Sequence, residues 1–139
     1  MDNTFVGPVT GGSMTPSYAW LVNPDTAEFG VVQIDNTAAD SGNSYRTTYL
    51  RPGLVLGKVT ASDRYKEYDN GNSDGTETAA AILAQGVDLL DPLGNAKTEH
   101  PAGVKVLLKG HIDTAFLIGI DAAGKAELRT AGFLLKEDY

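Results

Sequence analysis

"DNGNSDGTETAAAIL", residues 69–83, packs acidic and amide side chains around two glycines and then turns abruptly apolar. Three readings compete: a calcium loop, a phosphate cradle, or a sharp turn feeding a buried strand. An EF-hand loop needs oxygen ligands at its first, third and fifth positions, Gly at the sixth and a bidentate Glu at the twelfth. Counted from Asn70, the stretch supplies Asn70, Asn72, Asp74 and Gly75, but its first position is not Asp and its twelfth is Ala81. Losing the bidentate carboxylate removes two oxygens at once. A phosphate cradle fails on charge, because no Gly-Lys-Ser/Thr follows and the local side chains are anionic. Asn-Gly and Asp-Gly are turn pairs: Gly and Asn tolerate positive φ, and Asp or Asn bonds the backbone ahead. The stretch reads as a metal-free polar turn, with Gly75 at positive φ, before a strand of small residues.

Outward from this turn the chain alternates short apolar runs with breakers. Upstream, "RPGLVLGKVTA" (51–61) has a Pro-Gly turn followed by apolar Leu54, Leu56 and Val59. Gly57 interrupts that alternation and marks a bulge or a close approach. "DRYKEYD" (63–69) reads as a solvent-facing hairpin arm, and "EFGVVQID" (28–35) and "YRTTYL" (45–50) as β-branched and aromatic strands. Downstream, "AILAQGVDLL" (81–90) suits a strand or a short helix, its Ala content pulling one way and Gly86 the other. "VKVLLKGHID" (104–113) begins as a strand with Val104 and Val106 inward and Lys105 outward. In "DAAGKAELRTAGFLLKEDY" (121–139), Ala126, Leu128 and Ala131 fall near helical spacing, Gly132 suits a C-cap and "FLLK" a last strand. The fold class is mainly β, with one short C-terminal helix.

Residues 1–30 differ from the rest. "MDNTFVGPVTGGSMTPSYAW" holds isolated apolar anchors and neither structural period. A terminus without order fits. So does an extended N-terminal arm that orders against a partner, since Tyr18 and Trp20, two residues apart, share one side of a strand. The division is then an arm over 1–30 and a β-rich domain over 31–139.

Composition narrows the function classes. The 139 residues suit one core, and 42% hydrophobic content argues against general disorder. A net charge of −7 argues against bare nucleic acid, whose phosphates need clustered Lys and Arg. Without cysteine there is no disulfide, thiolate nucleophile or Cys-ligated zinc. The N-terminus shows no signal peptide, and the longest apolar run, "AFLIGI" (115–120), is of strand length rather than membrane length. A soluble protein is expected, kept inside a cell unless it leaves as part of something larger, with neither membrane nor nucleic acid as partner. His100 and His111 lack a third ligand at a recognisable spacing, though His111 and Asp113 can share a strand face. "KEDY" and "DLLD" read as solvated, and no nucleophile-elbow, zincin or dinucleotide motif occurs. No catalytic residue, metal ligand or cofactor is assigned, and the protein is not expected to be an enzyme.

Taken together, "LRPGLVLGKVTASDRYKEYDNGNSDGTETAAAIL" (50–83) resembles the central signature of the phage head decoration protein family, the lambda-type capsid-stabilising proteins. In that family a Gly-led strand ending in Leu-Gly precedes a hairpin and a Ser-Asp-Gly segment that runs into Ile-Leu. The matching positions are Gly53, Leu56, Gly57, Tyr68-Asp69, Ser73-Asp74-Gly75 and Ile82-Leu83; Ala81 departs, where Gly is usual. "VKVLLKGHID" and "AELRTAGFLLKE" match the following strand and closing helix, so the similarity covers roughly residues 45–139. The resemblance implies a β-clip or β-tulip-like domain bound as a homotrimer to the major capsid protein. Its place would be the outer surface of the expanded head, at three-fold and quasi-three-fold positions, stabilising the shell against internal DNA pressure. Before assembly it would stand in the host cytoplasm. The arm, through Met14, Pro16, Tyr18 and Trp20, would then bind the capsid, and Gly53, Leu56, Gly57, Asp74, Gly75, Ile82 and Leu83 would be structural. A carbohydrate-binding or adhesion module of the virion surface is the alternative, and would need several exposed aromatics.

Overall fold

The computed structural model describes residues 18–139. Met14 and Pro16, with the rest of the arm expected upstream of Tyr18, lie outside the described residues. The strands are β1 (Leu21–Val32), β2 (Tyr49–Leu50), β3 (Val55–Lys58), β4 (Tyr65–Glu67), β5 (Ala79–Leu83), β6 (Val87–Asp88), β7 (Val104–Ile112) and β8 (Leu134–Leu135). A short 3-10 turn, Thr114–Phe116, and helix α1, Ala122–Ala131, lie between β7 and β8. The main sheet runs β1-β7-β5-β3-β4, with β8 added parallel to β7; β2 and β6 form a separate pair. The fold is mainly β and, apart from the β7–β8 pairing, its named strands pair antiparallel.

The "AAAIL" run is a strand because both of its faces are buried. Ala79, Ile82 and Ala84 join Trp20, Val55, Leu107, Leu128, Phe133 and Leu135 in one core. Ala81 and Leu83 join Ile34, Leu50, Leu56, Val87, Val104 and Val106 in a second, on the other face. A strand with no solvent face shows no polar alternation, and small side chains let the layers close on both sides. The strand reading of 81–90 therefore prevails over the helical one, and Gly86 separates β5 from β6.

Helix α1 seals the first core. Asp121 caps it by accepting a hydrogen bond from Gly124 N at 2.7 Å, and Gly132 closes it at φ 107°, as the Gly and the spacing predict. Leu128 faces inward, fully buried, and Glu127 Oε1 accepts from Ala79 N at 2.9 Å, tying the helix to the start of β5. Among the described residues no helix is long and apolar enough to cross a membrane.

Two elements differ from the sequence reading. The strand expected at 28–35 starts upstream, at Leu21, pairing from Leu21↔Ile112 to Val32↔Val104. The expected arm boundary at residue 30 thus falls inside β1. Between Asn23↔His111 and Glu28↔Lys109 the chain leaves the ladder; Pro24 sits there and has no N–H to donate, which hides the strand's continuity in the sequence. "YRTTYL" contracts to Tyr49–Leu50, because the Asn43 side chain takes Tyr45 N–H at 3.0 Å and donates to Tyr49 O at 2.9 Å. That local bonding turns the backbone before it can pair as a strand.

Candidate functional site

The quoted stretch forms the connection from β4 to β5, and its acidic side chains within the turn bond to neighbouring groups of the turn itself. Asp69 Oδ1 accepts from Gly71 N at 2.9 Å, and Asn72 N donates to Asp69 O at 3.0 Å. Asp74 Oδ1 accepts from Thr76 N at 3.0 Å and from Thr76 Oγ1 at 2.5 Å. These bonds from Thr76 hold the Asp74 carboxyl below the usual range. Glu77 Oε1 accepts from Gly75 N at 2.8 Å. The carboxylates point back into the turn instead of converging on an ion. No group of three or more His, Cys, Asp or Glu among the described residues could hold a metal.

The signature glycines are explained by what stands beside them. At Gly57 an added Cβ would come within 2.5 Å of Thr76 Cα and 2.7 Å of Thr76 O. The ladder between β3 and β5 also slips there, between Leu56 and Gly57. Both anticipated roles, bulge and close approach, are present. Gly75 lies at φ 109°, and its Cβ would press on Lys58 O and the Thr60 backbone. Thr76, fully buried, is the residue that sequence reading misses. Its signal is the Asp-x-Thr spacing after the turn, which lets one carboxylate take both the amide and the hydroxyl. Leu56, Ile82 and Leu83 are also fully buried.

The arm's aromatic pair is placed inside the domain. Trp20 is 4% exposed, in the first core, with its indole over Gly53, where a Cβ would lie 3.0 Å from Trp20 Cδ1. Gly53 is at φ 98°, so the Pro-Gly turn makes the slot that the indole fills. Tyr18 stacks on Trp20 at 4.6 Å between centroids and donates its hydroxyl to Ala84 O at 2.8 Å. Trp20 O accepts from Asp113 N at 2.8 Å. An unsatisfied apolar anchor awaiting a partner is not what the Trp20 side chain presents here: a large apolar ring finds its burial in its own core.

Elsewhere the ionisable groups are mostly paired. A hollow of about 180 Å³ is lined by Asp40, Gly42, Leu54, Glu67, Tyr68 and Ile118 among others. Asp40 is bound bidentately by Arg51 at 2.7 and 2.9 Å; burial opposes its charge, yet the guanidinium keeps its pKa low. Glu67 accepts from Ala39 N at 2.9 Å, and Tyr68 donates to Asp121 at 2.6 Å. Burial, then the Asp121 bond, drive the Tyr68 phenol well above its ordinary value. The two histidines are not brought together: His100 Nδ1 accepts from Asn36 N at 3.0 Å, and His111 meets the Tyr139 ring edge-on at 5.1 Å. Asp113 caps the 3-10 turn through Ala115 N and does not bond His111. The exposed large aromatics are Tyr45, Phe116 and Tyr139.

The comparisons with known proteins bear on this arrangement. No curated protein matches the chain. A family model described as bacteriophage lambda head decoration protein D matches residues 30–133. That span takes in the signature glycines, the second core, α1 and most of the first core, leaving out Trp20 and Leu135, and ends at Phe133, one residue past the helix cap. The chain belongs to the family of bacteriophage lambda head decoration protein D.

Proposed function

We propose that this protein is a structural component of the virion that binds the outside of the expanded phage head and stabilises the shell. The observation that carries the reading is the family match over residues 30–133, on a domain whose buried carboxylate is ion-paired and whose signature residues build a turn and a core. Homotrimers at three-fold and quasi-three-fold positions would clamp neighbouring copies of the major capsid protein. A clamp that binds only the expanded lattice shifts the equilibrium toward it by mass action, and so opposes outward pressure from packaged DNA. Three binding elements on one trimer multiply weak contacts through effective concentration.

The binding element we assign is the segment upstream of Tyr18, with Met14 and Pro16 in it. On the shell it would add as an extended strand to an exposed edge, main-chain bonds supplying affinity. Tyr18 and Trp20 would act at its root: they pin the chain to the β-clip or β-tulip-like domain and set where the segment departs. Electron microscopy of purified protein mixed with expanded and unexpanded empty heads tests this. Decoration of expanded heads alone is the expected result; equal decoration of both, or of neither, would sink it.

A further inference from the structure

The turn from β4 to β5 contains two pairs prone to cyclise, Asn70-Gly71 and Asp74-Gly75, and the fold treats them differently. Asn70 and Gly71 are both exposed, on the outward side of the turn that Asn72 N closes onto Asp69 O. A glycine following asparagine presents an amide nitrogen with no Cβ to block its approach to the neighbouring side chain. Here that nitrogen's hydrogen is held by Asp69 Oδ1 at 2.9 Å. At Asp74 the side chain is bound twice by Thr76, at 3.0 and 2.5 Å, and Gly75 N donates to Glu77 at 2.8 Å. Swinging the Asp74 carboxyl onto Gly75 N would break all three bonds and uncover the buried Thr76 hydroxyl.

We propose that Asn70 is a site of spontaneous deamidation whose rate is restrained by the Asp69 carboxylate, while Asp74 is locked against the equivalent reaction. The Gly71 nitrogen gives its proton to water or hydroxide and attacks Asn70 Cγ. A C–N bond forms, Nδ2 takes a proton from water as the Cγ–Nδ2 bond breaks, and it leaves as ammonia, which yields a succinimide. Water then opens the ring at either carbonyl, leaving aspartate or isoaspartate, with no change of oxidation state. An anionic acceptor on the Gly71 N–H stabilises the protonated amide over its nucleophilic anion, because a charge-assisted bond favours the form that donates it. Asp69 thus acts as a positioning residue that slows the attack. Isoaspartate would add one backbone carbon inside the turn and disturb the Asn72 N to Asp69 O closure and the neighbouring Asp69 N to Thr76 O bond, 3.0 and 3.1 Å.

The test is incubation of the full chain at mildly alkaline pH, with peptide mapping by mass spectrometry and isoaspartyl methyltransferase labelling. A synthetic peptide of residues 66–80 supplies the unrestrained rate. Conversion should map to Asn70, run several-fold slower in the folded chain than in the peptide, and leave Asp74 unmodified. Asp69→Ala keeps the backbone bonds of the turn and should speed conversion several-fold toward the peptide's rate; Gly71→Ala should suppress it. The proposal is overturned if Asn70 converts as fast in the folded chain as in the peptide, or not at all. It is equally overturned if Asp74 isomerises alongside Asn70, or if a folded Asp69→Ala protein deamidates at the wild-type rate.

Discussion

Gly75 and Gly94 both hold positive φ, at 109° and 86°, but their surroundings separate strain from collision. Nothing stands within 4 Å of a Cβ at Gly94, whereas one at Gly75 would strike Lys58 O and lie 2.5 Å from Thr60 Oγ1. Gly94→Ala should therefore lose about 1 kcal/mol, the backbone term alone. Gly75→Val should lose roughly 3 kcal/mol or more, since a β-branched residue adds steric conflict to the same strain. Urea melts of the two variants check this, and equal losses would show that φ alone governs both sites. Asp88 supplies a pH counterpart. The Arg46 guanidinium, bonded at 2.8 and 2.9 Å, lowers its carboxyl to about 2, against about 3.9 in an unfolded chain. Because the folded value is the lower one, the stabilisation is present above about pH 4 and is lost as pH falls toward about 2. Asp88→Asn should be the less stable protein near neutrality, and the gap should close on acidification. A gap independent of pH would remove the ion pair from the account.

At the scale of elements, the joint between Trp20, Gly53 and β1 decides where the domain begins. An arm ending at residue 30 would allow residues 2–20 to be deleted without touching the melting temperature. Burial of Trp20 against the Gly53 turn and pairing from Leu21 onward say otherwise. Deleting residues 2–17 should leave the melt nearly unchanged and weaken capsid binding. Deleting 2–20, or Trp20→Ala alone, should destabilise the domain by about 3–5 kcal/mol, the range for emptying a core position of an aromatic ring. Thermal melts paired with a head-binding assay separate the two roles. A 2–17 deletion that still decorates heads at full affinity would move the binding surface to the β domain.

On the scale of the whole molecule, one sheet with a core on each face holds the chain together. The first core contains Trp20, Tyr68 and Leu128 of α1; the second is roofed by the Ile34–Leu50 segment and the β2–β6 pair. Sharing β3, β5 and β7, the two cores should melt in a single transition. Bound to the shell, the protein should appear as trimeric density over three-fold positions. Isolated subunits or dimers in that density would overturn the assembly we propose while leaving the family assignment intact.

Local chemistry was legible in the sequence. The Asn-Gly and Asp-Gly turn, positive φ at Gly75 and the Gly132 cap of α1 all follow from bonds and angles set within a few residues. The signature from Gly53 to Leu83 pointed to the family through the order and spacing of its residues. What only tertiary structure decided is which apolar residues find partners far along the chain. β1 extends back to Leu21 because β7 offers it a ladder, across the interruption at Pro24 that conceals the strand locally. "AAAIL" is a strand because layers cover both of its faces. Trp20 belongs to the core because a turn more than thirty residues away, at Gly53, leaves a slot with no side chain in it. Burial is a property of what arrives from elsewhere in the chain, and a stretch of sequence read alone carries no record of it.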